Sequence, residues 1–275
     1  MLKTTGNETA GTGNTINTLL VCVYAYITEG TTIFSGTKPV GLFSPEHLIF
    51  LAAAAFFCAA MIFAGGRLGQ KGRLRLLIAL WVAFTAIELC KYVNFALHPD
   101  QFDIKTGLPF HLCSISLFTY PLAVFTENKI FRNFIYAVNM PGALFALITP
   151  DIGNSTALSF YFIHLITAHT FIVLIPLYMV SCGFFRPDYR WLPGVALMFL
   201  VTMIPALLLN RFTGSNYYFV NGPVKGTLTG QFAEWTGEDM YLLPVIALLA
   251  AVWAILYAPF AVYSKGNAKK EEKPT

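Results

Sequence analysis

Charged residues are scarce in this sequence. They make up 12% of its 275 residues, whereas 56% are hydrophobic and 15% are aromatic. Soluble domains carry about a quarter charged residues, so this composition excludes an ordinary soluble domain. It indicates instead a polytopic membrane protein, whose long apolar helices face hydrocarbon.

Paired cysteine motifs are absent as well. The five cysteines lie in separate segments without a CxxC pair, which excludes a zinc ribbon and a disulfide framework. Two closely spaced pairs, His111 with Cys113 and His164 with His169, point to different sides of a regular helix. We therefore predict no metal and no other cofactor.

The last apolar segment, 241–263, lacks features that other seven-helix proteins use. It contains no lysine for a retinal Schiff base, no histidine for zinc as in the seven-helix zinc hydrolases, and no Asn-Pro-x-x-Tyr sequence. A retinal protein, a membrane zinc hydrolase and a signalling receptor are therefore not supported.

Seven apolar segments are long enough to cross a hydrocarbon core of about 30 Å at about 1.5 Å per residue. They are 47–64, 74–97, 108–125, 130–147, 157–180, 191–209 and 241–263. The predicted fold class is all-α, a polytopic membrane bundle of seven transmembrane helices in a domain spanning residues 43–263.

Basic residues concentrate in alternate links between these segments and in the C-terminal tail. Twelve of the 18 lysine and arginine residues fall on that one side: Arg67, Lys71, Arg73, Arg75, Lys129, Arg132, Arg186, Arg190, Lys265, Lys269, Lys270 and Lys273. The positive-inside bias then predicts an N-terminus outside and a cytoplasmic C-terminus. The net charge of +4 reflects this anchoring, and we predict no nucleic-acid partner.

Both ends of the chain lie outside the predicted bundle. Residues 1–42 are an extra segment whose first 14 residues we expect to be disordered. The apolar stretch 16–27 is too short to span and fits an interfacial or re-entrant piece, or, with less support, a signal peptide. We expect residues 264–275 to be a disordered, charged cytoplasmic tail.

The polar residues of the apolar segments concentrate in the outer half of the predicted bundle. They are His47, Glu88, Lys91, Asn94, His111, Cys113, Asn139, His164 and His169. Polar groups at membrane depth are costly and usually functional, although hydrogen bonds between helices explain part of such a pattern. We predict an outer cavity lined by Glu88, Cys113, Asn139 and His169.

Cys113 is the candidate nucleophile. A free thiol has a pKa of about 8.5, and a neighbouring imidazole can take its proton as the sulfur attacks a carbonyl. Counting residues from the inner helix ends places His169 level with Cys113, whereas counting from the outer ends favours His164. Because the fifth segment is long and is expected to project outside, the inner count is the better guide, and we predict His169 as the base with His164 as the alternative. A cysteine that only packs is the other interpretation of Cys113.

Four other residues are candidate supporting groups. Glu88 and Lys91 lie three residues apart and can form an intramembrane ion pair. Lys91 can also stabilise a thiolate or orient a lipid phosphate. His47 and His111 lie near the predicted interface, where a hydrated or hydrogen-bonded histidine is expected more often than a catalytic one.

The link 211–240 is too long for a simple connection between two helices. Loops of this length are often lids or binding elements. We predict that it folds over the outer cavity and brings Asn216 or Tyr217 near the polar cluster.

Several motifs together resemble the YwaF-like family of bacterial integral membrane proteins, which have seven predicted helices. They are LPFHLCSIS at 108–116, PGALFALITPDIG at 141–153, AHTFIVLIPL at 168–177, and Asn216-Tyr217. The resemblance covers roughly residues 43–263. That family is similar to eukaryotic membrane acyltransferases of the TMEM group and, distantly, to androgen-induced membrane hydrolases that split fatty acid esters.

The resemblance implies residue roles as well as a fold. The catalytic cysteine or threonine of the related enzymes corresponds to Cys113, and their histidine corresponds to His169. His164 lies close to a further histidine of the hydrolases, but its spacing differs.

The expected function is that of a multi-pass cell-membrane lipid acyltransferase or ester hydrolase. It would act on membrane lipids, such as a lysophospholipid or an acyl ester, through an acyl-cysteine. The alternative is a transporter or a lipid-binding membrane protein without covalent chemistry, although internal repeats are not evident in the sequence. The oligomeric state is not predicted.

Overall fold

A computed structural model describes residues 39–151, 153 and 155–271 of the chain. The predictions for residues 1–38 and 272–275 lie outside this part. The helices of the described chain are α1 Pro45–Arg67, α2 Gln70–Leu97, α3 Ser116–Phe125, α4 Lys129–Ile148, α5 Phe160–Ser181, α6 Leu192–Thr213, α7 Leu228–Thr236 and α8 Leu242–Glu271. Six of these helices are long and apolar enough to cross a membrane, namely α1, α2, α4, α5, α6 and α8.

Short polar residues fix where several helices begin. The Ser44 hydroxyl accepts a hydrogen bond from the backbone N–H of His47 at the start of α1, and Pro45 occupies the first turn. The Asn128 side chain caps α4 in the same way, and Ser159 caps α5. Such caps satisfy N–H groups that have no partner within the helix.

The third predicted span is the main correction to the sequence-based topology. Residues 108–115 form consecutive turns, and the helix begins only at Ser116. A helix through Leu112 would need the Leu112 carbonyl to accept from the Ser116 N–H. The structure instead pairs the Ser116 N–H with the Cys113 carbonyl at 3.1 Å, and the Asn139 side chain donates to the Leu112 carbonyl. The prediction of seven long helices is therefore wrong in this segment, and Cys113 does not lie on a helix.

The C-terminal tail also differs from its prediction. The backbone of α8 stays helical through residues 264–271, which we expected to be disordered. Lysine, alanine and glutamate are good helix formers, and extending an existing helix avoids the cost of nucleation.

The centre of the bundle is formed by α4 and α5. The most apolar stretches of these two helices are each 61% buried, against 6% for α1 and α8 and 11% for α6. The central helix α5 packs against α1, α2 and α4. Its apolar residues lie on all sides, as expected for a helix surrounded by protein and lipid.

Two arginines stabilise one end of the bundle through hydrogen bonds to backbone carbonyls. Arg73 donates through Nη1 to the Cys182 carbonyl at 3.3 Å, and Arg132 donates through Nη1 to the Phe184 carbonyl at 2.9 Å. Arg132 also donates through Nε to the Ala123 carbonyl. These cations sit where helix C-termini leave carbonyls without partners. We call this the arginine end, and its cytoplasmic location stays a prediction.

A π-helical turn interrupts α4 over residues Ile135–Asn139. A side chain of α8 bonds to the backbone of this turn: Trp253 Nε1 donates to the Ala137 carbonyl at 2.8 Å. Tyr136 in turn donates to the Leu256 carbonyl at 3.2 Å. Such bulges occur frequently at functional sites, and this one ends at Asn139, which contacts the turns around Cys113.

Gly65 should be sensitive to substitution. The Tyr178 ring occupies the space that a Cβ atom at position 65 would need, and the Tyr178 hydroxyl is held by the Arg73 carbonyl at 3.1 Å. We expect Gly65→Ala to lower the free energy of unfolding by about 1–3 kcal/mol, the usual cost of overpacking. Thermal unfolding in detergent micelles, followed by tryptophan fluorescence, measures the effect.

Gly66→Ala is the matched control, because a Cβ atom there meets nothing within 4 Å. Alanine favours a helix over glycine, so this variant should melt at or slightly above the wild-type temperature. Equal melting temperatures for the two variants would contradict the packing argument.

Candidate functional site

The turns around Cys113 are held from α4 by a buried amide. Asn139 is fully buried, and its Nδ2 atom donates to the Leu112 carbonyl at 3.1 Å and to the Ser116 hydroxyl at 2.8 Å. These two partners flank Cys113 in sequence. One side chain therefore fixes the backbone on both sides of the thiol.

Lys91 reaches the same turns from α2. Its Nζ atom lies 3.4 Å from the Ser114 hydroxyl, next to Cys113, and 3.6 Å from Glu88 Oε2. Glu88 is buried, with 3% of its surface exposed. The predicted ion pair between Glu88 and Lys91 is therefore present, and it lies beside the candidate nucleophile.

Lys91 also connects the separate polar residues into one region. Its ammonium lies within electrostatic range of Cys113, His111, His164 and His169. A charge in a region with little water acts strongly on its neighbours. The cluster of Glu88, Lys91, His111, Cys113, His164 and His169 is called the polar cluster below.

His169 has a hydrogen-bonding pattern that suits a base. Its Nδ1 atom lies 2.7 Å from the Leu165 carbonyl, and a carbonyl can only accept, so Nδ1 carries the proton. Nε2 then presents a lone pair. Among the described residues, none forms a hydrogen bond with that Nε2 atom.

His164 has a different environment. Its Nε2 atom lies 3.6 Å from Glu88 Oε1. A carboxylate oxygen can only accept a hydrogen bond, so it favours an N–H rather than a lone pair at Nε2. This environment suits a positioning group better than a base for a thiol.

Tyr120 places the helix after Cys113 beside α5. Its hydroxyl donates to the Ile172 carbonyl at 2.6 Å, three residues from His169. Tyr120 is fully buried, so this contact fixes α3 against the middle of α5.

The long link after α6 places Tyr217 against His111 of the polar cluster. The Tyr217 ring centroid lies 4.7 Å from that of His111. Its hydroxyl donates to the Ile104 carbonyl at 2.6 Å and accepts from the Leu108 N–H at 3.1 Å. Burial raises the pKa of Tyr217, so the phenol keeps its proton for this donation.

The backbone beside Tyr217 is strained. Tyr218 and Phe219 have positive φ values of 62° and 55°, which residues with a Cβ rarely adopt. Asn210 stabilises the turn, because its side chain donates to the Tyr217 carbonyl at 3.0 Å and accepts from the Tyr217 N–H at 2.8 Å. Strain maintained by such contacts is common at binding sites.

Three buried polar atoms of this region, Asn139 Oδ1, Glu88 Oε2 and His164 Nε2, have no partner at hydrogen-bond distance within the described chain. Glu88 Oε2 still faces Lys91 Nζ, and His164 Nε2 faces Glu88 Oε1, each at 3.6 Å. Asn139 Oδ1 has neither kind of partner among the described residues, and a buried polar atom of this kind is costly. It fits a site that takes a polar ligand or water.

Two of the predicted site residues lie apart from the polar cluster. His47 accepts from the Phe43 N–H through Nδ1 at 3.1 Å and donates through Nε2 to the Leu147 carbonyl at 2.9 Å, so it joins α1 to the end of α4. Asn216 donates to the Gly222 carbonyl at 2.8 Å and shapes its own turn.

Ser114, Ser116 and Asn210 hold the site together without having been predicted. The serines carry no sequence signal beyond their proximity to Cys113. Asn210 does carry one, because it is a polar residue at the end of a long apolar run. No group of His, Cys, Asp and Glu in the described residues is arranged to hold a metal ion.

Tyr217→Phe should loosen the turns before Cys113. It leaves the Ile104 carbonyl and the Leu108 N–H without their partner, which costs about 1–3 kcal/mol for each unsatisfied group. We expect hydrogen exchange of the Leu108 amide to accelerate about tenfold or more, as measured by mass spectrometry. Tyr218→Phe is the control, because the Tyr218 hydroxyl contacts Thr202. Unchanged exchange in Tyr217→Phe would remove Tyr217 as a support of these turns.

The comparisons with known proteins agree with this architecture. The family model described as the TMEM164 family matches residues 42–257, from just before α1 to within α8. Neither a curated protein nor a solved structure matches the chain. Because the matched residues cover most of its length and include the whole polar cluster, this multi-pass membrane protein belongs to the TMEM164 family.

Proposed function

We propose that this protein transfers acyl groups between membrane lipids, with Cys113 as the nucleophile and His169 as its base. The observation that carries the proposal is the tautomer of His169. Its proton is held on Nδ1 by the Leu165 carbonyl, so the Nε2 lone pair is available in the same region as the Cys113 thiol. General bases in acyl transfer need this combination of a fixed ring and a free lone pair.

The support around the thiol favours chemistry over simple packing. A cysteine that only fills space needs no buried amide or ammonium beside it. Here Asn139 and Lys91 both hold the turns that contain Cys113.

The proposed reaction has two steps that mirror each other. His169 Nε2 takes the thiol proton as sulfur attacks the ester carbonyl, the carbon–oxygen bond breaks, and the leaving hydroxyl takes the proton from His169. In the second step, the hydroxyl of a lysophospholipid gives its proton to His169 and attacks the thioester. The carbon–sulfur bond then breaks, and the sulfur regains a proton. Water as the second acceptor would make the same site an ester hydrolase.

The substrate class follows from the location of the site and from the resemblance to TMEM-type acyltransferases. The polar cluster lies among helices apolar enough to span a membrane, where esters of membrane lipids are the abundant carbonyl compounds. We place the protein in the cell membrane and the site in its outer half, as the charge pattern predicts.

A second candidate function is ligand binding or transport without covalent chemistry. Asn139 Oδ1, which is buried without a partner among the described residues, would serve a bound polar ligand equally well. Reaction of Cys113 with an acyl donor distinguishes the two functions.

Cys113→Ala should reduce acyl transfer to the background rate, and His169→Ala should lower it about 10²–10⁴-fold. The double variant should be no slower than Cys113→Ala, because members of one catalytic unit are strongly non-additive. His164→Ala should lower the rate less, at most about tenfold, because it acts through orientation. The assay uses purified protein in nanodiscs with mass-tagged phospholipid donors and lysophospholipid acceptors.

Cys90→Ala is the matched control, since Cys90 is a half-buried cysteine on α2. It should keep wild-type activity. Intact-protein mass spectrometry should also show an acyl group on the wild type that hydroxylamine removes, as expected for a thioester. Full transfer by Cys113→Ala, with every variant folded, would refute the covalent mechanism.

A further inference from the structure

Lys91 is the most unusual charge in the protein. Its side chain is 14% exposed, it lies on a helix apolar enough to span a membrane, and its nearest acidic partner is the buried Glu88. A lysine there is costly unless it is paired. Pairing with Glu88 explains how it is tolerated, but not why its ammonium also reaches the residue next to Cys113.

We propose that Lys91 is the electrostatic positioning residue of the site, which favours the Cys113 thiolate and holds the turn that presents it. The proposal rests on the assignment of Cys113 as the nucleophile. In an apolar interior a thiolate is strongly disfavoured, so a nearby cation contributes more than it would in water.

The contacts fix the ammonium between two anchors. Glu88 Oε2 lies 3.6 Å from Nζ on one side, and the Ser114 hydroxyl lies 3.4 Å away on the other. Glu88 and Lys91 are one turn apart on α2, so the helix itself sets their spacing. The ammonium therefore points toward the turns at residues 108–115.

The Glu88 carboxylate faces two partners. Its Oε2 atom faces Lys91, and its Oε1 atom faces His164 Nε2 at 3.6 Å. The carboxylate thus faces both Lys91 and His164, and its own charge opposes a thiolate at Cys113, which lies within its electrostatic range. Removal of Glu88 and removal of Lys91 should therefore change thiol reactivity in opposite directions.

Alkylation of Cys113 by iodoacetamide tests this role without any lipid substrate. Purified protein in nanodiscs is alkylated at pH 7, and peptide mass spectrometry follows Cys113. We expect Lys91→Met to slow the reaction about tenfold, the change in thiolate fraction for one pKa unit. Lys91→Arg should keep at least a third of the wild-type rate, and Glu88→Gln should increase the rate.

Two controls distinguish an effect of the Lys91 charge from a loss of local structure in Lys91→Met. Lys105→Met removes an exposed lysine from a loop and should leave the Cys113 rate unchanged. Lys91→Arg is the second control, because it keeps the positive charge while it changes the shape of the side chain.

A second comparison covers the case in which Lys91→Met does not fold, since it leaves Glu88 buried without a partner. The double variant Glu88→Gln/Lys91→Met removes both charges and is compared with Glu88→Gln alone. It should react about tenfold more slowly. Rates within twofold in this comparison would overturn the role of Lys91. Lipid transfer by Cys113→Ala would instead overturn the proposed function, so the two failures are distinguishable.

Discussion

The site depends on hydrogen bonds between the turns at residues 108–115 and side chains from other helices and from the link after α6. In a bilayer, each peptide group that leaves a helix has to be satisfied within the protein. The amide of Asn139 bonds the Leu112 carbonyl, and the phenol of Tyr217 bonds the Leu108 N–H. Without these partners a regular helix would be more stable, and the thiol of Cys113 would lie on a helix face.

The position of Asn139 depends in turn on the π-helical turn of α4. A π turn adds a residue to a helix and rotates the side chains that follow it. The carbonyl of Ala137 within that turn is taken by Trp253 of α8. The last helix, which is mostly exposed to its surroundings, therefore stabilises the geometry around Cys113 without contributing a residue to the polar cluster.

Charge balance is the second condition that the site has to meet. Glu88 and Lys91 are opposite charges on neighbouring turns of one helix, so the cluster can hold an ammonium without a net charge inside the membrane. The matched family region, residues 42–257, contains every member of this cluster.

Composition and pattern were enough to determine the class of protein and most of the helices. Apolar runs of span length predicted six of the long helices, because hydrocarbon requires backbone groups to be satisfied within each segment. The rarity of polar residues in these runs also indicated Glu88, Cys113, Asn139 and His169 as a candidate group, since such residues are costly at that depth.

Tertiary structure decided what the sequence could not. The segment around Cys113 is apolar enough for a helix, but its backbone follows partners that lie 23 to 109 residues away in sequence, on α2, on α4 and in the link after α6. The difference between the environments of the two histidines is equally non-local in origin. His169 and His164 lie on one helix, and they differ because only His164 faces the carboxylate of Glu88 across the bundle. Hydrogen bonds and charges act through space, so their partners become known only when the helices are packed.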